Sequence, residues 1–258
     1  MNFTSAPDFT YRYFDSILNV IKKRFELRLI GEGLNETTTR PQLFLRHDVD
    51  VSLKSALKLA EVEYQHEVRA TYMVIPDSRL YNFHSYDTRR ALDLLRNMKH
   101  EVALHFDLDQ ESRLLNLGPD DVAEKIDQAC RMMEDVTGVP VRSVSFHRPT
   151  QRFLWGPTVI CGRINAYSKD LMANYISDSK GQFDISSVAR LQADVGAINQ
   201  LLIHPIWWGA ERLSPEERLE EFFENETHGQ PLEVITAFDA NLALTVPGVR
   251  RRANATPN

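Results

Sequence analysis

The chain has 258 residues, of which 43% are hydrophobic and 26% are charged, a balance typical of a globular protein with a sizeable core. Its net charge of −6 argues against nucleic acid or an anionic membrane as the main partner. Apolar stretches stay well short of the ~18 residues that a membrane-spanning helix needs, so we predict no membrane span.

The chain begins with the segment MNFTSAPDFTYRYFDS. This segment has no basic stretch followed by an apolar one, so we predict no secretory signal and expect the protein in the cytoplasm. Residues from Tyr11 to Glu26 are predicted to form a helix packed against the rest of the fold. Neither Cys130 nor Cys161 belongs to a CxxC pair, which argues against a zinc knuckle and against a disulfide framework.

From residue 42 onward, apolar runs of strand length alternate with helical patterns. In the first of these helices, Leu53, Ala56, Leu57 and Ala60 recur at helical spacing, and Ser52 can cap the start. The same reasoning predicts strands at 42–48, 69–75, 100–106, 141–147, 173–178 and 199–205. The helices predicted in this way are 52–66, which is the helix just described, 86–99, 118–138 and 214–225.

This alternation predicts a parallel α/β sheet, either open or closed into a barrel. No G-x-G-x-x-G motif follows an early strand, so a dinucleotide-binding Rossmann domain is not expected. No linker or internal repeat divides the sequence. We therefore expect a single domain over residues 1–258, with its core at about 42–208.

Polar residues gather where the predicted strands end. All strands of a parallel α/β sheet point the same way, so their carboxyl ends share one edge, and active sites lie at that edge. We therefore expect these side chains to meet in one pocket. They are Asp48 and Asp50 after the first strand, His105, Asp107 and Asp109 after the third, His147 and Arg148 after the fourth, then Asp178, and finally His204. The neighbouring His47 is expected to be structural or to lie at the surface.

Carboxylates and imidazoles together suit a borderline divalent metal such as zinc, nickel, cobalt or iron. Asp48 and Asp50 are separated by one residue, and without a cation two such carboxylates would repel each other until one held a proton. A cation removes this penalty. One aspartate could then bind the metal while the other stays free as a base.

Each of these residues also has a structural interpretation. An Asp-x-Asp pair occurs by chance in many chains, and a single histidine such as His105 is more often a satisfied structural residue than a ligand. Arg148 could anchor a loop, and His204 before Pro205 could mark a strand end, since proline cannot donate to the ladder. The functional interpretation depends on the coincidence that five strand ends all carry ionisable groups.

Several short motifs follow one another in a fixed order: FLRHDVD with ATYMV, then KHEVALHFD, SFHRP, YISDS and LLIHPIWW. Together they resemble the motifs of the polysaccharide deacetylase superfamily, the metal-dependent carbohydrate esterases with a NodB-like domain. The match in order extends over about residues 42–208. Within the superfamily, the set is similar to a branch of deacetylases associated with O-antigen and other surface-polysaccharide loci.

The resemblance implies a distorted (β/α)7 barrel and a role for each matching position. Asp48 matches the general base, and Arg148 matches the arginine that orients this base. Asp50 and His105 match metal ligands. His204 matches the histidine that serves as general acid.

The sequence departs from the superfamily pattern at one metal ligand. The superfamily usually has a second metal histidine four residues after the first, but position 109 is Asp here. We expect His147 to be the third ligand, because it is a neighbouring imidazole at the same edge of the sheet and stands in the Arg-Pro motif. Asp109 is the first alternative, and Asp107 is the second.

Three further residues are assigned to substrate binding. The resemblance implies that Trp207 and Trp208, which follow the last motif histidine, wall the acyl or sugar pocket. Asp178, at its own strand end, is assigned to the same pocket.

The implied function is hydrolysis of an N-acyl group, most simply N-acetyl, from an amino sugar, with a divalent cation such as zinc as the cofactor. Since no export signal is predicted, we expect a nucleotide- or lipid-linked intermediate of O-antigen or other surface polysaccharide as the substrate.

Two other classes of protein stay open. A metal-dependent glycosyltransferase would use Asp48 and Asp50 to hold manganese on a nucleotide-sugar diphosphate, but this leaves His105, His147 and His204 unexplained. A non-catalytic sugar-binding relative would keep the barrel and the two tryptophans without turnover.

Overall fold

The structure is a computed structural model that describes residues 8–108, 118–149, 151–183, 185–192 and 196–226. Within these ranges the strands are β1 Glu26–Arg28, β2 Gln42–Val49, β3 Thr71–Val74, β4 Glu101–Asp107, β5 Ser143–His147, β6 Val159–Ile160, β7 Arg163–Asn165, β8 Tyr175–Ser177 and β9 Ile198–Ile203. The helices are α1 Tyr11–Arg24, α2 Leu53–Gln65, α3 Tyr86–Asn97, α4 Pro119–Thr137, α5 Ile185–Gln192 and α6 Pro215–Glu226.

The strands form one sheet in the order β6-β7-β5-β4-β3-β2-β9-β8, with β1 paired to the first half of β2. Seven of them, from β7 to β8 in that order, are mutually parallel, and β6 runs antiparallel to β7. The described residues show no pairing between β6 and β8, so the barrel is incompletely closed. The predicted fold class, a distorted (β/α)7 barrel, is confirmed.

The two ends of the curved sheet meet through the interior of the barrel. The side-chain amide Nε2 of Gln200, on β9, donates to the carbonyl oxygens of Ala166 at 2.9 Å and Leu171 at 3.1 Å, which lie just beyond β7. Arg46 of β2 lies with its guanidinium 4.4 Å from the ring centroid of Tyr167. Buried polar contacts of this kind satisfy groups that would otherwise be costly to bury.

All of β2 is buried, and its two faces have different surroundings. Successive side chains of a strand point to opposite faces. Leu43 and Leu45 belong to the large core between sheet and helices, whereas Phe44 belongs to a smaller cluster with Met73 and Ala103 inside the barrel. Further along the strand, alternation therefore directs Arg46, Asp48 and Asp50 to the interior and His47 to the helices.

Every strand and helix predicted between residues 42 and 225 is present, and so is the N-terminal helix. The predicted caps are observed as well: Ser52 Oγ accepts from the amide of Ser55 at 3.0 Å, and Ser214 Oγ accepts from the amide of Glu217 at 3.2 Å. The sequence analysis missed β1, β6, β7 and α5, which are too short for a clear periodicity.

Two further expectations concern the whole chain. In the part of the chain that the structure describes, no helix is both long enough and apolar enough to cross a membrane. The single-domain organisation over 1–258 stays a prediction, because residues 227–258 lie outside the described residues.

Candidate functional site

The carboxyl ends of the parallel strands surround a cavity of about 380 Å³. This is the edge at which the sequence analysis expected the polar strand ends to meet. The residues that line the cavity are Asp48, Asp50, His105, Phe146, His147, Arg148, Pro149, Tyr167, Ser179, Lys180, Leu202, His204 and Trp207.

Asp50, His105 and His147 form a group of three donors in this cavity. Oδ1 of Asp50 lies 3.1 Å from Nε2 of His105 and 3.4 Å from Nδ1 of His147. One ligand atom from each residue lies within 4.8 Å of the other two. The three side chains come from the ends of β2, β4 and β5, which are separated along the chain and brought together by the strand order.

Ser145 fixes the orientation of the His105 ring. Ser145 Oγ lies 2.6 Å from Nδ1 of His105 and donates to the carbonyl oxygen of Leu104 at 3.4 Å. A hydroxyl has one proton to donate, so Ser145 Oγ accepts a hydrogen bond from Nδ1–H of His105. The lone pair of His105 Nε2 then points towards Asp50, as is usual for a metal-binding histidine held by a second hydrogen bond.

The surroundings of Asp50 favour a positive charge. Its Oδ1 is buried and accepts no well-formed hydrogen bond from any described residue. Burial opposes ionisation, but the neighbouring imidazoles of His147 and His105 outweigh it and hold the pKa of Asp50 well below its usual range. A carboxylate oxygen and an imidazole lone pair 3.1 Å apart repel unless a proton or a cation lies with them. One carboxylate and two imidazoles therefore fit a borderline divalent cation.

Asp48 points into the same cavity but is held by an ion pair. Nε and Nη2 of Arg46 donate to its two carboxylate oxygens, each at 2.7 Å. Arg46 also donates to Gln200 Oε1 at 3.2 Å. Burial opposes the charge of Arg46, yet the neighbouring carboxylate of Asp48 raises the pKa of the guanidinium above its ordinary value. This bidentate contact fixes the plane of the Asp48 carboxylate. His105 lies beside it, with Nε2 3.5 Å from Oδ2 of Asp48.

Arg46 thus makes a contact that orients Asp48, a role that the sequence analysis had assigned to Arg148, and the role of Arg148 stays a prediction. Arg148 lines the cavity, and its Nη2 lies 3.6 Å from Oδ1 of Asp107. Its backbone is in the left-handed region, with φ of 49°, which is uncommon for a residue with a side chain.

The alternatives to His147 as third ligand have different outcomes. Asp107 faces Arg148 and is not part of the three-donor group found among the described residues. Asp109 lies outside the described residues, so its position is not available for comparison. Of the candidates that the structure describes, His147, the first choice, is the one that lies beside Asp50.

His204 lines the same cavity, with Nε2 3.8 Å from Oδ2 of Asp50. Asp178 accepts from its backbone amide and lies 2.7 Å from its Nδ1. Burial lowers the pKa of His204, but the hydrogen bond and charge of Asp178, with further help from Asp50 and Asp48, raise it to about 9. His204 is therefore placed to carry a proton at Nε2.

Two residues assigned to substrate binding have other surroundings. Asp178 is fully buried and holds His204, and its Oδ2 accepts from the indole Nε1 of Trp208 at 2.8 Å. Trp208 is buried against Phe9, Phe14 and Phe183. Both assignments are corrected, because these two side chains form a hydrogen bond with each other and neither lines the cavity.

Trp207 does line the cavity. It is 5% exposed, and its indole Nε1 is buried without a hydrogen-bond acceptor among the described residues. A buried donor of this kind costs free energy unless something accepts from it. The contact with a substrate predicted for Trp207 thus stays a prediction.

Sequence reasoning missed Arg46 and Ser145. Arg46 carried a signal, because residues i and i+2 of a strand share a face, so its pairing with Asp48 could have been inferred from the strand itself. Ser145 carried none, since its contact depends on the pairing of β4 with β5, in which His105 is directly opposite Ser145.

No protein-family model matches the chain, and no curated protein matches it. Solved structures with a similar course of the chain exist. Peptidoglycan deacetylase PdaC from Bacillus subtilis, as the D285S mutant, is 14% identical with a TM-score of 0.46, covering 71% of this chain and 84% of that one.

Two other solved structures are similar at the same level. A family 4 carbohydrate esterase from Bacillus anthracis is 13% identical with a TM-score of 0.43, covering 88% of this chain and 93% of that one. A family 4 acetyl xylan esterase from Clostridium thermocellum, in complex with a cobalt ion, is 13% identical with a TM-score of 0.40, covering 76% and 90%. All three likenesses are distant, so the activity of this chain has to be argued from its own side chains.

Proposed function

We propose that this protein is a divalent-metal-dependent hydrolase of the polysaccharide deacetylase superfamily that removes an N-acyl group, most simply N-acetyl, from an amino sugar. The observation that carries this proposal is the cavity that contains the three donors Asp50, His105 and His147. The same cavity contains the carboxylate of Asp48, held by Arg46, and the imidazole of His204, held by Asp178. The names of the similar structures, a deacetylase and two carbohydrate esterases, agree with this class.

Asp50, His105 and His147 would hold the cation. When bound, a cation of this class supplies a Lewis acid for the acyl oxygen and lowers the pKa of water to roughly 7. Zinc is our first choice, with nickel, cobalt or iron as alternatives.

Asp48 and His204 divide the proton transfers between them. Asp48, oriented by Arg46, takes a proton from the attacking water. His204, oriented by Asp178 and protonated at Nε2, gives a proton to the departing amine of the sugar. General acid and general base each contribute on the order of a hundredfold or more. Trp207 Nε1 is free to donate to an oxygen of the substrate.

The position of the sugar in metabolism is part of the proposal. We propose an intermediate of O-antigen or other surface-polysaccharide biosynthesis, linked to a nucleotide or lipid carrier and met in the cytoplasm. The motif resemblance to deacetylases of surface-polysaccharide loci supports this choice.

The geometry disfavours a glycosyltransferase. In that class both carboxylates of the Asp-x-Asp pair serve the cation on a diphosphate, whereas here both oxygens of Asp48 are engaged by Arg46. Imidazoles from His105 and His147 also suit zinc-like cations better than magnesium or manganese, which prefer oxygen ligands.

Release of acetate from N-acetylated sugars, measured together with the metal content of the protein, tests the proposal. Asp48→Asn should lower turnover by about a hundredfold or more and leave the metal content intact. Asp50→Ala or His105→Ala should lose the metal and the activity together. The exposed Asp93→Asn on α3 is the control that should change neither.

Other results would favour the other classes. Unchanged turnover in Asp48→Asn contradicts the base assignment. Sugar binding without turnover and without metal indicates a non-catalytic relative. Sugar transfer from a nucleotide sugar with manganese indicates a glycosyltransferase.

A further inference from the structure

The charged groups around the cavity pair off with one exception. Asp48 is paired with Arg46, Asp178 with His204, and Asp107 with Arg148. Asp50 faces His105 and His147, the pair of imidazoles with which it would share a cation. Lys180 also lines the cavity, and it forms no ion pair with any residue that the structure describes. Lys180 is thus an exposed cation on the cavity lining without an ionic partner among the described residues.

The backbone holds Lys180 in a fixed place relative to His204. Lys180 belongs to the turn Ser179–Gly181, which directly follows Asp178, the residue bonded to His204. Lys180 and Gly181 are both left-handed, with φ of 64° and 66°. A left-handed lysine is strained and persists only where the surroundings enforce it.

Contacts on both sides enforce the conformation of this turn. Ser177 Oγ accepts from the amide of Ser179 at 3.0 Å, and the amide of Gln182 donates to the carbonyl of Ser179 at 3.2 Å. Gly181 is packed so closely that an added Cβ would lie 2.5 Å from Pro215 and 3.7 Å from Trp207. The turn is thus attached to the wall of the cavity that carries His204 and Trp207.

This placement indicates which part of a substrate Lys180 would meet. If the proposed function holds, His204 gives its proton to the amine nitrogen that stays on the sugar. A group on the same wall then faces the sugar, and the acyl group lies towards Asp50 and the two imidazoles. Lys180 would therefore meet an anionic substituent of the sugar.

We infer that the substrate is an N-acyl amino sugar that carries an anionic group, a phosphoryl or a carboxylate, and that Lys180 binds this group. The inference rests on the proposed function for the position of the sugar, and it adds the charge of the substrate. A charge-assisted contact of this kind is strong enough to set a preference between charged and neutral sugars.

Three substrates and two variants test the inference. The substrates are N-acetylglucosamine 1-phosphate, the uronic acid of N-acetylglucosamine, and neutral methyl N-acetylglucosaminide. Lys180→Gln keeps the length of the side chain and removes the charge, and Lys169→Gln removes the charge of an exposed lysine outside the cavity lining. All proteins are compared at equal metal content, because a bound cation also attracts anions.

Wild-type protein should have a higher kcat/KM for one of the two anionic sugars than for the neutral sugar. The anionic sugar with the higher kcat/KM shows whether a phosphoryl or a carboxylate group is recognised. In Lys180→Gln this preference should fall about tenfold, whereas Lys169→Gln should keep it. The Kd of the preferred anionic sugar should rise by a similar factor in Lys180→Gln alone.

The inference is overturned if Lys180→Gln has the same kcat/KM preference for the anionic sugar, and the same Kd for it, as the wild-type protein. If the wild-type protein releases acetate from none of the sugars, the proposed function fails. In that case the Kd of each anionic sugar, compared between wild type and Lys180→Gln, still decides whether Lys180 binds an anion.

Discussion

Arg46 and Asp48 lie two positions apart on β2 and face the interior of the barrel together. Because the guanidinium grips both carboxylate oxygens, the direction of the Asp48 carboxylate is set before any substrate arrives. The ammonium of a lysine cannot make the bidentate contact that an arginine makes with a carboxylate. The base and the residue that orients it thus come from the same strand.

Arg46→Lys should therefore lower kcat by roughly tenfold to a hundredfold with a smaller change in KM, because the charge is kept but the orientation is lost. Arg148→Lys, whose described contact is with Asp107, should have a weaker effect on kcat. Steady-state kinetics on both variants, with their metal contents and thermal unfolding as controls, separates the two arginines. A larger loss of kcat in Arg148→Lys would restore the role first predicted for Arg148.

His204 should keep its ring proton well above neutral pH in protein stripped of cations with a chelator. Its pKa is raised from 6.5 to about 9, so the proton favours the folded state. The resulting stability is fully present below pH 6.5 and is lost as the pH rises towards 9. An NMR titration of the ring and urea unfolding at several pH values would measure this.

Asp178→Asn supplies the comparison for this prediction, because it removes the carboxylate that raises the pKa of His204. The variant should titrate at lower pH and lose stability less steeply between pH 6.5 and 9. A wild-type ring that titrates near 6.5 would contradict the proposed arrangement of His204 and Asp178.

At the scale of elements, helix α2 is tied to the sheet by a buried polar cluster behind the site. Glu63 of α2 is fully buried, and its Oε1 lies 2.5 Å from Nε2 of His47 on β2. Its Oε2 accepts from the hydroxyl of Tyr72 on β3 at 2.7 Å, and Nδ1 of His100 lies 3.6 Å away. His47 is the neighbour of Asp48 and points to the opposite face, so this cluster fixes the strand that carries both aspartates.

Glu63→Ala should destabilise the protein by about 3–5 kcal/mol, because it leaves His47 and Tyr72 buried without their partner. Glu63→Gln keeps the shape and one acceptor and should cost less. Glu61 is exposed and lies two residues before Glu63 on the same helix. Glu61→Ala should therefore change stability by less than about 0.5 kcal/mol. Urea unfolding checks all three, and a loss in Glu63→Ala no larger than in Glu61→Ala would contradict a structural role for the cluster.

At the scale of the whole molecule, the parallel sheet gathers one small contribution from each of several strands. β2 supplies Asp48 and Asp50, β4 supplies His105, β5 supplies His147, and the segment after β9 supplies His204. No single motif holds more than two of these residues. The site therefore exists only when the seven parallel strands stand side by side with their carboxyl ends at one edge.

The order of strands and helices can be predicted from the sequence, and so can the shared edge of the strand ends and the residue types available to a cation. These follow from local rules, because hydrophobic period and capping residues depend on neighbours in the chain. The same rules predicted that Asp50, His105 and His147 would lie at one edge, and the distances of 3.1 Å and 3.4 Å agree.

The pairing of the polar groups, in contrast, follows from the three-dimensional arrangement of the strands. This arrangement joined Asp178 to His204 and Trp208, took Trp208 out of the cavity, placed Arg148 against Asp107, and brought Ser145 to His105. Each of these contacts joins residues from different strands or loops. Their distances depend on strand register and on the curvature of the barrel, which no local pattern in the sequence contains.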